Sequence, residues 1–310
     1  GTAAMVGWVA LLHDVPPGHP VGGSGGLTRA LRTRLESDGG RVVLGDGAER
    51  LLVEDGRVTG VRTRSGRTVR ADAVVAACSI DVTRRLAGDD APPALADAAP
   101  PLGNGFGLVV RALTDALPAY PGVGPDLALH GLQLLCTDRG QLASAHGDWG
   151  AGRVPREPVP LAMSFSASDD TLAPPGRHVV TIWGQWYPYA LAGGGDWDAI
   201  ADTEARRLID AVDRYAPGFA ASVQQTYVQT PLALERELSL PRGNVMHVEM
   251  GLASMFGFRP TPALSGYRVP GLAGLYLAGA STHPGGGVSG NSGRSAARVG
   301  GGDLGSHVPG

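Results

Sequence analysis

A cluster of glycines near the carboxyl end of the sequence has the spacing of a ligand-binding turn. Gly285, Gly286, Gly287 and Gly290 remove four side chains within six residues, so the backbone can come close to a bound group there. The helix expected from about Val288 to Val299 would aim unpaired N–H groups and the positive end of its dipole at the same place. The pattern therefore predicts a site for an anionic or electron-rich group.

The apolar run from Leu275 to Ala278, just before this turn, predicts a short strand that is buried on both faces. Residues 285–290 also satisfy G-x-G-x-x-G, the dinucleotide fingerprint. A true fingerprint carries an acidic residue about 20 positions later, and the sequence reaches only Gly310. The motif alone therefore does not identify a dinucleotide site.

Three titratable side chains are candidates for chemistry, and one of them, His283, lies just before the turn. His283 could contact a cofactor or substrate, or it could hydrogen-bond the turn as a neutral imidazole. His247 and Glu249 alternate with apolar residues, so on a strand both would face one side. That side could be an active-site wall, with Glu249 as a general base, or a purely structural surface.

Composition narrows the function classes. The balance of 26 basic against 29 acidic residues argues against a nucleic-acid partner. Two cysteines are too few for a disulfide framework and lack metal-ligand spacing, which favours a reduced, cytoplasmic setting without a metal site. The apolar stretch from Met5 to Leu12 is too short to cross a bilayer, so we expect no transmembrane segment.

The first ninety residues show a helix, short strands and a ribbon. Asp55-Gly56 is a strong two-residue hairpin signal. The predicted elements are a helix from Leu27 to Ser37, a strand from Arg41 to Leu44, a hairpin of Ala48 to Glu54 with Arg57 to Thr63, a third ribbon strand from Thr68 to Arg70, and a buried strand within residues 71–78.

The pattern changes between about Pro92 and Pro270, where strands are separated by long loops that contain proline. The apolar face of the segment from Trp197 to Tyr215 predicts a helix that covers a mixed sheet. The strands expected in that sheet run from Leu108 to Arg111, from Leu161 to Phe165 and from His178 to Trp183.

The sequence around the glycine turn resembles the closing flavin-binding segment of FAD-dependent oxidoreductases of the phytoene-dehydrogenase-like family. It is similar above all to the branch named for a pyridine nucleotide-disulphide oxidoreductase domain. The segments that carry the resemblance are Gly22 to Thr28, Val53 to Val61, Gly243 to His247, Arg259-Pro260, Gly266 to Arg268, Gly274 to Gly279, Thr282 to Val288 and Gly293 to Ala297.

This resemblance implies FAD as the cofactor and assigns residues to it. The end of the last strand would pass the ribityl chain, the helix start would face the pyrimidine edge of the flavin ring, and backbone groups around Ala48 would hold the adenine. Ala280 stands where related amine-oxidase-like enzymes carry an acidic residue. The implied cofactor-binding residues are Gly23, Gly25, Ala48, Gly279, Ala280, Gly285, Gly286, Gly287, Val288 and Ser289.

The implied fold is α/β (mixed α+β). It forms part of a flavoprotein with two dinucleotide-binding domains and an inserted mixed-sheet substrate domain. We expect residues 1–90 to form the second part of the FAD domain, residues 91–270 the substrate domain, and residues 271–310 the closing strand and helix. The family's opening strand, G-x-G-x-x-G loop and helix do not occur upstream of residue 27. Either the sequence is a fragment of a longer chain, or a second polypeptide supplies this unit; in the second case that polypeptide is the expected partner.

The resemblance implies an FAD-dependent dehydrogenase, desaturase or oxidase. Hydride transfer to flavin N5 would act on a largely apolar organic substrate, and such a transfer need not require a protein base. Two alternatives stay open: a non-catalytic partner or scaffold subunit that has lost flavin binding, and an amine oxidase-like enzyme.

Overall fold

A computed structural model describes residues 18–124 and 131–305. These residues fall into two compact units, one of residues 41–103 with 244–305 and one of residues 18–40 with 104–243, the latter apart from its undescribed loop. The helices are α1 (Gly25–Ser37), α2 (Ile80–Ala87), α3 (Pro93–Ala96), α4 (Arg139–Gly150), α5 (Trp197–Asp213), α6 (Phe219–Ser222), α7 (Pro231–Leu238) and α8 (Asn291–Asp303). The strands are β1 (Ala48–Glu54), β2 (Arg57–Thr63), β3 (Thr68–Arg70), β4 (Val74–Ala76), β5 (Gly107–Thr114), β6 (Gln133–Leu134), β7 (Pro160–Met163), β8 (His178–Gln185), β9 (Val223–Gln229) and β10 (Leu275–Leu277).

The first unit joins a ribbon to a parallel strand pair. Strands β1, β2 and β3 form an antiparallel sheet in that order, and the turn between β1 and β2 places Asp55 and Gly56 at positive φ, as a hairpin of this length requires. Strand β10 pairs in parallel with β4, Leu275 opposite Val74. The apolar residues of this unit form one core with Leu51, Val58, Leu264, Leu272 and Leu277 among its members.

The second unit is an antiparallel sheet of five strands covered by α5. The strand order is β6, β7, β8, β5, β9. On the central strand β5, Leu108, Val110 and Ala112 alternate with more exposed residues and are fully buried. Leu108 and Val110 share a core with Leu208 and Val212 of α5, so the predicted covering helix does bury the predicted sheet.

Most sequence-based elements are confirmed: the hairpin, the third ribbon strand, the three strands of the larger sheet, the covering helix and the closing strand all form. Other expectations are wrong. Residues 41–44 form no strand, and residues 245–250 are turn and coil. Strand β4 leaves Val75 52% exposed instead of burying it on both faces. The apolar stripe of α1 is exposed, since that helix buries no residue.

The unit boundaries also differ from those expected. Residues 244–270 group with the closing strand and helix, whereas the sequence predicts them in the substrate domain. Residues 18–40 group with the larger sheet and not with the ribbon. The Asn244 amide donates to the Leu102 carbonyl, which ties the start of the segment 244–270 to the first unit. The N–H of Gly22 donates to the Asp169 carboxylate, which ties residues 18–40 to the second unit. No helix in the described ranges combines the length and the apolar character needed to cross a bilayer.

Candidate functional site

The site is built where two parallel strands end side by side. Ala278 donates to the carbonyl of Ala76 at 2.9 Å, which extends the pairing of β10 with β4 by one residue. Gly279 then turns at φ +79, and a side chain there would overlap the Ala77 carbonyl oxygen. The carboxyl ends of parallel strands in α/β sheets are where ligands bind, so Gly279 stands at the expected edge.

The glycine turn follows with a backbone that only glycine adopts readily. Gly285, Gly287 and Gly290 have φ values of +103, +116 and +71, and Val288 itself lies at +57. Val288 is 87% exposed. Helix α8 begins only at Asn291, so the expectation that it starts near Val288 is wrong: Gly290 in the left-handed region is its N-cap, and Val288 and Ser289 lie in the turn.

The start of α8 has no side-chain cap. A helix ordinarily satisfies its first N–H groups with the side chain of the N-cap residue, and Gly290 has none. The N–H of Asn291 reaches the Ser289 hydroxyl at 3.4 Å, so the N–H groups that follow it, with the positive end of the helix dipole, are the ones that can meet a bound group.

Buried hydroxyl groups fix the turn to the sheet. Thr282 donates to the carbonyl of Gly279 at 3.0 Å, and its Oγ1 lies 2.5 Å from the hydroxyl of Ser292 in the first turn of α8. Ser281 accepts a hydrogen bond from the N–H of Ile80. Both ends of the turn are thus tied to regular structure.

Two methionines pack directly on the turn. A methyl group built on Gly285 would lie 3.1 Å from Met250 Sδ, and one built on Gly286 would lie 3.1 Å from Met246 Sδ. Both glycines are therefore needed for the thioethers to approach the backbone. Arg259 Nε would lie equally close to the methyl group on Gly285, so the lining of the turn consists of two thioethers and one guanidinium.

His283 presents its ring next to this lining. Its carbonyl accepts a hydrogen bond from the Tyr267 hydroxyl at 3.0 Å, and its ring centroid is 6.3 Å from that of Phe256. The ring atom Nδ1 is buried and has no hydrogen-bond partner among the described residues. A polar atom in this position is suited to a ligand that the protein binds.

His247 and Glu249 do not share a strand face, because the chain bends between them. His247 adopts φ +61, and its N–H donates to the carbonyl of Asn244. Burial, and then the charge of Arg259, lower the pKa of His247. Burial raises the pKa of the Glu249 carboxyl, although Arg259 and a hydrogen bond from Asn244 oppose the shift.

Arg259 is the residue that sequence reasoning missed. It is fully buried, and its guanidinium donates to backbone carbonyls that include those of Met246, Ser254 and Ala280. Burial lowers its pKa to about 10. In the sequence Arg259 stands out only as part of a segment similar to the family; the available clue is a charged residue within a largely apolar stretch.

The remaining cofactor candidates are spread over both units. Ala48 begins β1 and is exposed in the same unit as the glycine turn. Gly23 and Gly25 belong to the other unit, where the N–H of Gly22 donates to Asp169 at 2.8 Å. Gly23 has φ +79, and Gly25 is the first residue of α1.

The turn fits the edge of a flavin ring. Its left-handed glycines carry no side chain toward the uncapped start of α8, and that start supplies N–H donors rather than charges. Within the described ranges, histidine, cysteine, aspartate and glutamate form no group of three or more that could hold a metal ion.

Comparison with known proteins agrees with this geometry. The profile of the family described as flavin containing amine oxidoreductase matches residues 5–299. The pyridine nucleotide-disulfide oxidoreductase domain-containing protein 2 of Rattus norvegicus is 35% identical over 291 residues, which are 90% of this chain and 50% of the rat protein. The phytoene desaturase (neurosporene-forming) of Cereibacter sphaeroides is 23% identical over 272 residues, 88% of this chain and 51% of the desaturase.

A solved structure shares the fold. Cyclohexylamine oxidase from Brevibacterium oxydans superposes with a TM-score of 0.57 at 17% identity, over 91% of this chain and 53% of that one. The chain spans about half the length of the curated relatives that it matches.

Proposed function

The chain belongs to the flavin-containing amine oxidoreductase family, and from that premise we propose that it is the FAD-binding, substrate-contacting part of an oxidoreductase that dehydrogenates a largely apolar organic molecule. The observation that carries the proposal is the start of α8, which has no N-cap side chain, behind a left-handed glycine turn on which Met246 and Met250 pack.

Residues of the turn would hold the flavin ring. The N–H groups at the start of α8 would meet its electron-rich pyrimidine edge, and Gly279 and Ala280 would pass the ribityl chain where β10 ends. When bound, FAD supplies the redox chemistry and takes the hydride from the substrate. The protein orients both molecules and excludes water from the reacting atoms.

An apolar substrate is supported by the surface beside the turn. Met250, Leu252, Phe256 and Phe258 are 37%, 61%, 58% and 55% exposed. These four residues lie within nine positions of the chain, exposed apolar side chains that gather on a surface usually mark a binding site, and Met250 also packs on the glycine turn. His283, with its unpaired Nδ1 beside Phe256, is the candidate to meet a polar atom of the substrate or flavin.

The adenosine half of FAD needs a second helix start. A pyrophosphate is usually held by a glycine loop at the amino end of a helix, and the start of α8 is already assigned to the flavin ring. We propose that a further strand, G-x-G-x-x-G loop and helix complete the site, on this polypeptide or on a second one. Such a unit would bury more than about 2,000 Å², as obligate partners do.

Absorbance of the purified intact protein tests the proposal. Bound oxidised flavin absorbs blue light, and chromatography after denaturation would identify it as FAD. Anaerobic addition of an apolar polyene should bleach the flavin, whereas bleaching by cyclohexylamine alone would favour an amine oxidase-like enzyme. Protein that stays colourless with excess FAD, with and without any co-purifying partner, would instead support the scaffold alternative.

A further inference from the structure

We infer that Arg259 is a positioning residue that clamps the chain after β10 to the segment 246–249, so that the flavin side and the substrate side of the site are set by a single buried guanidinium. The inference rests on the proposed function for the identity of those two sides.

The clamp joins pieces of chain that are distant in sequence. Nε and Nη2 of Arg259 donate to the carbonyl of Ala280 at 3.0 and 2.5 Å. Nη2 also donates to the carbonyl of Met246 at 2.7 Å. Both guanidinium nitrogens Nη1 and Nη2 reach the carbonyl of Val248 at 3.2 Å. One planar group therefore fixes the distance between the two segments.

The guanidinium also binds Ser254, outside both segments, and it packs against the glycine turn. Nη1 donates to the carbonyls of Glu249 and Ser254 at 3.3 and 3.2 Å. A methyl group built on Gly285 would lie 3.1 Å from Nε. The glycine turn thus packs directly against the guanidinium, so a displacement of Arg259 would also displace the turn.

A guanidinium is required here because of its donors, not only its charge. The partners of Arg259 among the described residues are carbonyl oxygens, and Glu249 acts on it through charge at longer range. Arginine presents five N–H donors in a fixed plane, whereas lysine presents three on one nitrogen. Lysine would keep the charge and leave several of these buried carbonyls without a donor.

This arrangement predicts coupling between the two segments. A ligand that orders the chain around Ala280 should also order residues 246–249, since both are held by the same side chain. Without the clamp, each segment would respond to its own ligand alone.

Hydrogen exchange of backbone amides in the intact protein, with and without FAD, tests this coupling. In the wild type, FAD should slow exchange in both 246–249 and 280–287. In Arg259→Lys, saturating FAD should slow exchange in 280–287 alone, and the Kd for FAD should rise at least about tenfold, the effect of one unsatisfied buried group. The control Arg268→Lys alters an exposed arginine of the same unit that pairs with Asp303, and it should leave both segments coupled.

The outcomes separate the clamp from the proposed function. If the wild type binds no FAD, the proposed function fails, and the clamp is then judged in FAD-free protein, where Arg259→Lys but not Arg268→Lys should speed exchange in both segments at least about tenfold. If Arg259→Lys does not fold, the wild-type measurement decides, because FAD that protects 280–287 without 246–249 overturns the inference. Coupling that survives in a folded Arg259→Lys protein overturns it as well.

Discussion

The hydroxyl of Ser281 accepts a hydrogen bond from the backbone N–H of Ile80 at 3.0 Å, so the loop that follows β10 caps the first turn of α2. Both residues are buried. The two loops at the carboxyl ends of the parallel strands are therefore joined beneath the glycine turn by a bond that needs this one side chain.

Removal of this bond should destabilise the protein. Ser281→Ala leaves the Ile80 N–H buried without a partner, and we expect the free energy of unfolding to fall by about 1–3 kcal/mol. Denaturant titration measures the change. Ser265→Ala, which removes a surface hydroxyl bonded to Pro262, is the control and should change stability by less than about 0.5 kcal/mol. Equal losses in both variants would contradict the role given to Ser281.

Gly287→Val should remove FAD without unfolding the protein. Gly287 has φ +116, a conformation that a β-branched residue strongly disfavours, so valine there should change the course of the turn ahead of α8. Flavin content measured by absorbance should be lost, while circular dichroism stays native. The control Gly176→Val places valine at another glycine with positive φ, +74, in the other unit, where a side chain would meet no neighbouring atom. Normal flavin content in Gly287→Val would remove this turn from the site.

His283→Ala should slow the reaction more than it weakens cofactor binding, if the imidazole faces the substrate. The rate of flavin bleaching by an active substrate should fall at least about tenfold, as expected for loss of a proton-transferring or hydrogen-bonding group. Flavin content should change little. His146→Ala, in the other unit, removes a histidine that contacts Trp149 and serves as control. Parallel loss of rate and flavin in His283→Ala would make it a structural residue of the cofactor site.

Glu249→Gln should stabilise the protein at neutral pH. Burial raises the pKa of Glu249 above its usual 4.5, so folding favours the protonated carboxyl. The stability that this carboxyl contributes is complete below the unfolded pKa and is lost as the pH rises through the folded one. Glutamine does not ionise, so the free energy of unfolding of the variant does not fall in this way as the pH rises.

The pH dependence of the free energy of unfolding tests whether Glu249→Gln is stabilising for this reason. The variant should unfold with a higher free energy than the wild type at pH 7, and the difference should vanish near pH 4. Glu49→Gln, at an exposed residue paired with Arg62, should show no comparable gain. A destabilised Glu249→Gln protein at pH 7 would mean that the carboxylate is held in its charged form.

The sequence predicted the elements whose formation depends mainly on neighbouring residues. Asp55-Gly56 specified the hairpin because only a tight turn with positive φ suits that pair, and the alternation in β5 and the stripe of α5 specified a sheet covered by a helix. Residues 41–44 are as apolar as a strand, yet they find no pairing partner in the described chain. Strand formation depends on such a partner.

The glycine turn was located correctly, but its geometry was not. Helix α8 begins three residues later than expected because Gly290 takes the left-handed conformation, which glycine permits without requiring. His247 bends the chain at φ +61. The alternation of apolar and polar residues around it therefore does not correspond to a strand. Arg259 binds backbone carbonyl oxygens. Because every residue has a carbonyl, the sequence cannot indicate which of them an arginine will contact.

The pairing of β10 with β4 has a consequence for how the chain folds. The pairing partner of Val74 is Leu275, about two hundred residues later. Pairing over that distance is costly in entropy for an unstructured chain. The intervening residues 104–243 are contiguous and have their own core. The chain leaves the first unit and re-enters it at neighbouring points, Leu102 and Asn244. Early collapse of the intervening unit would shorten the effective loop, so we expect the strand pair that carries the glycine turn to form last.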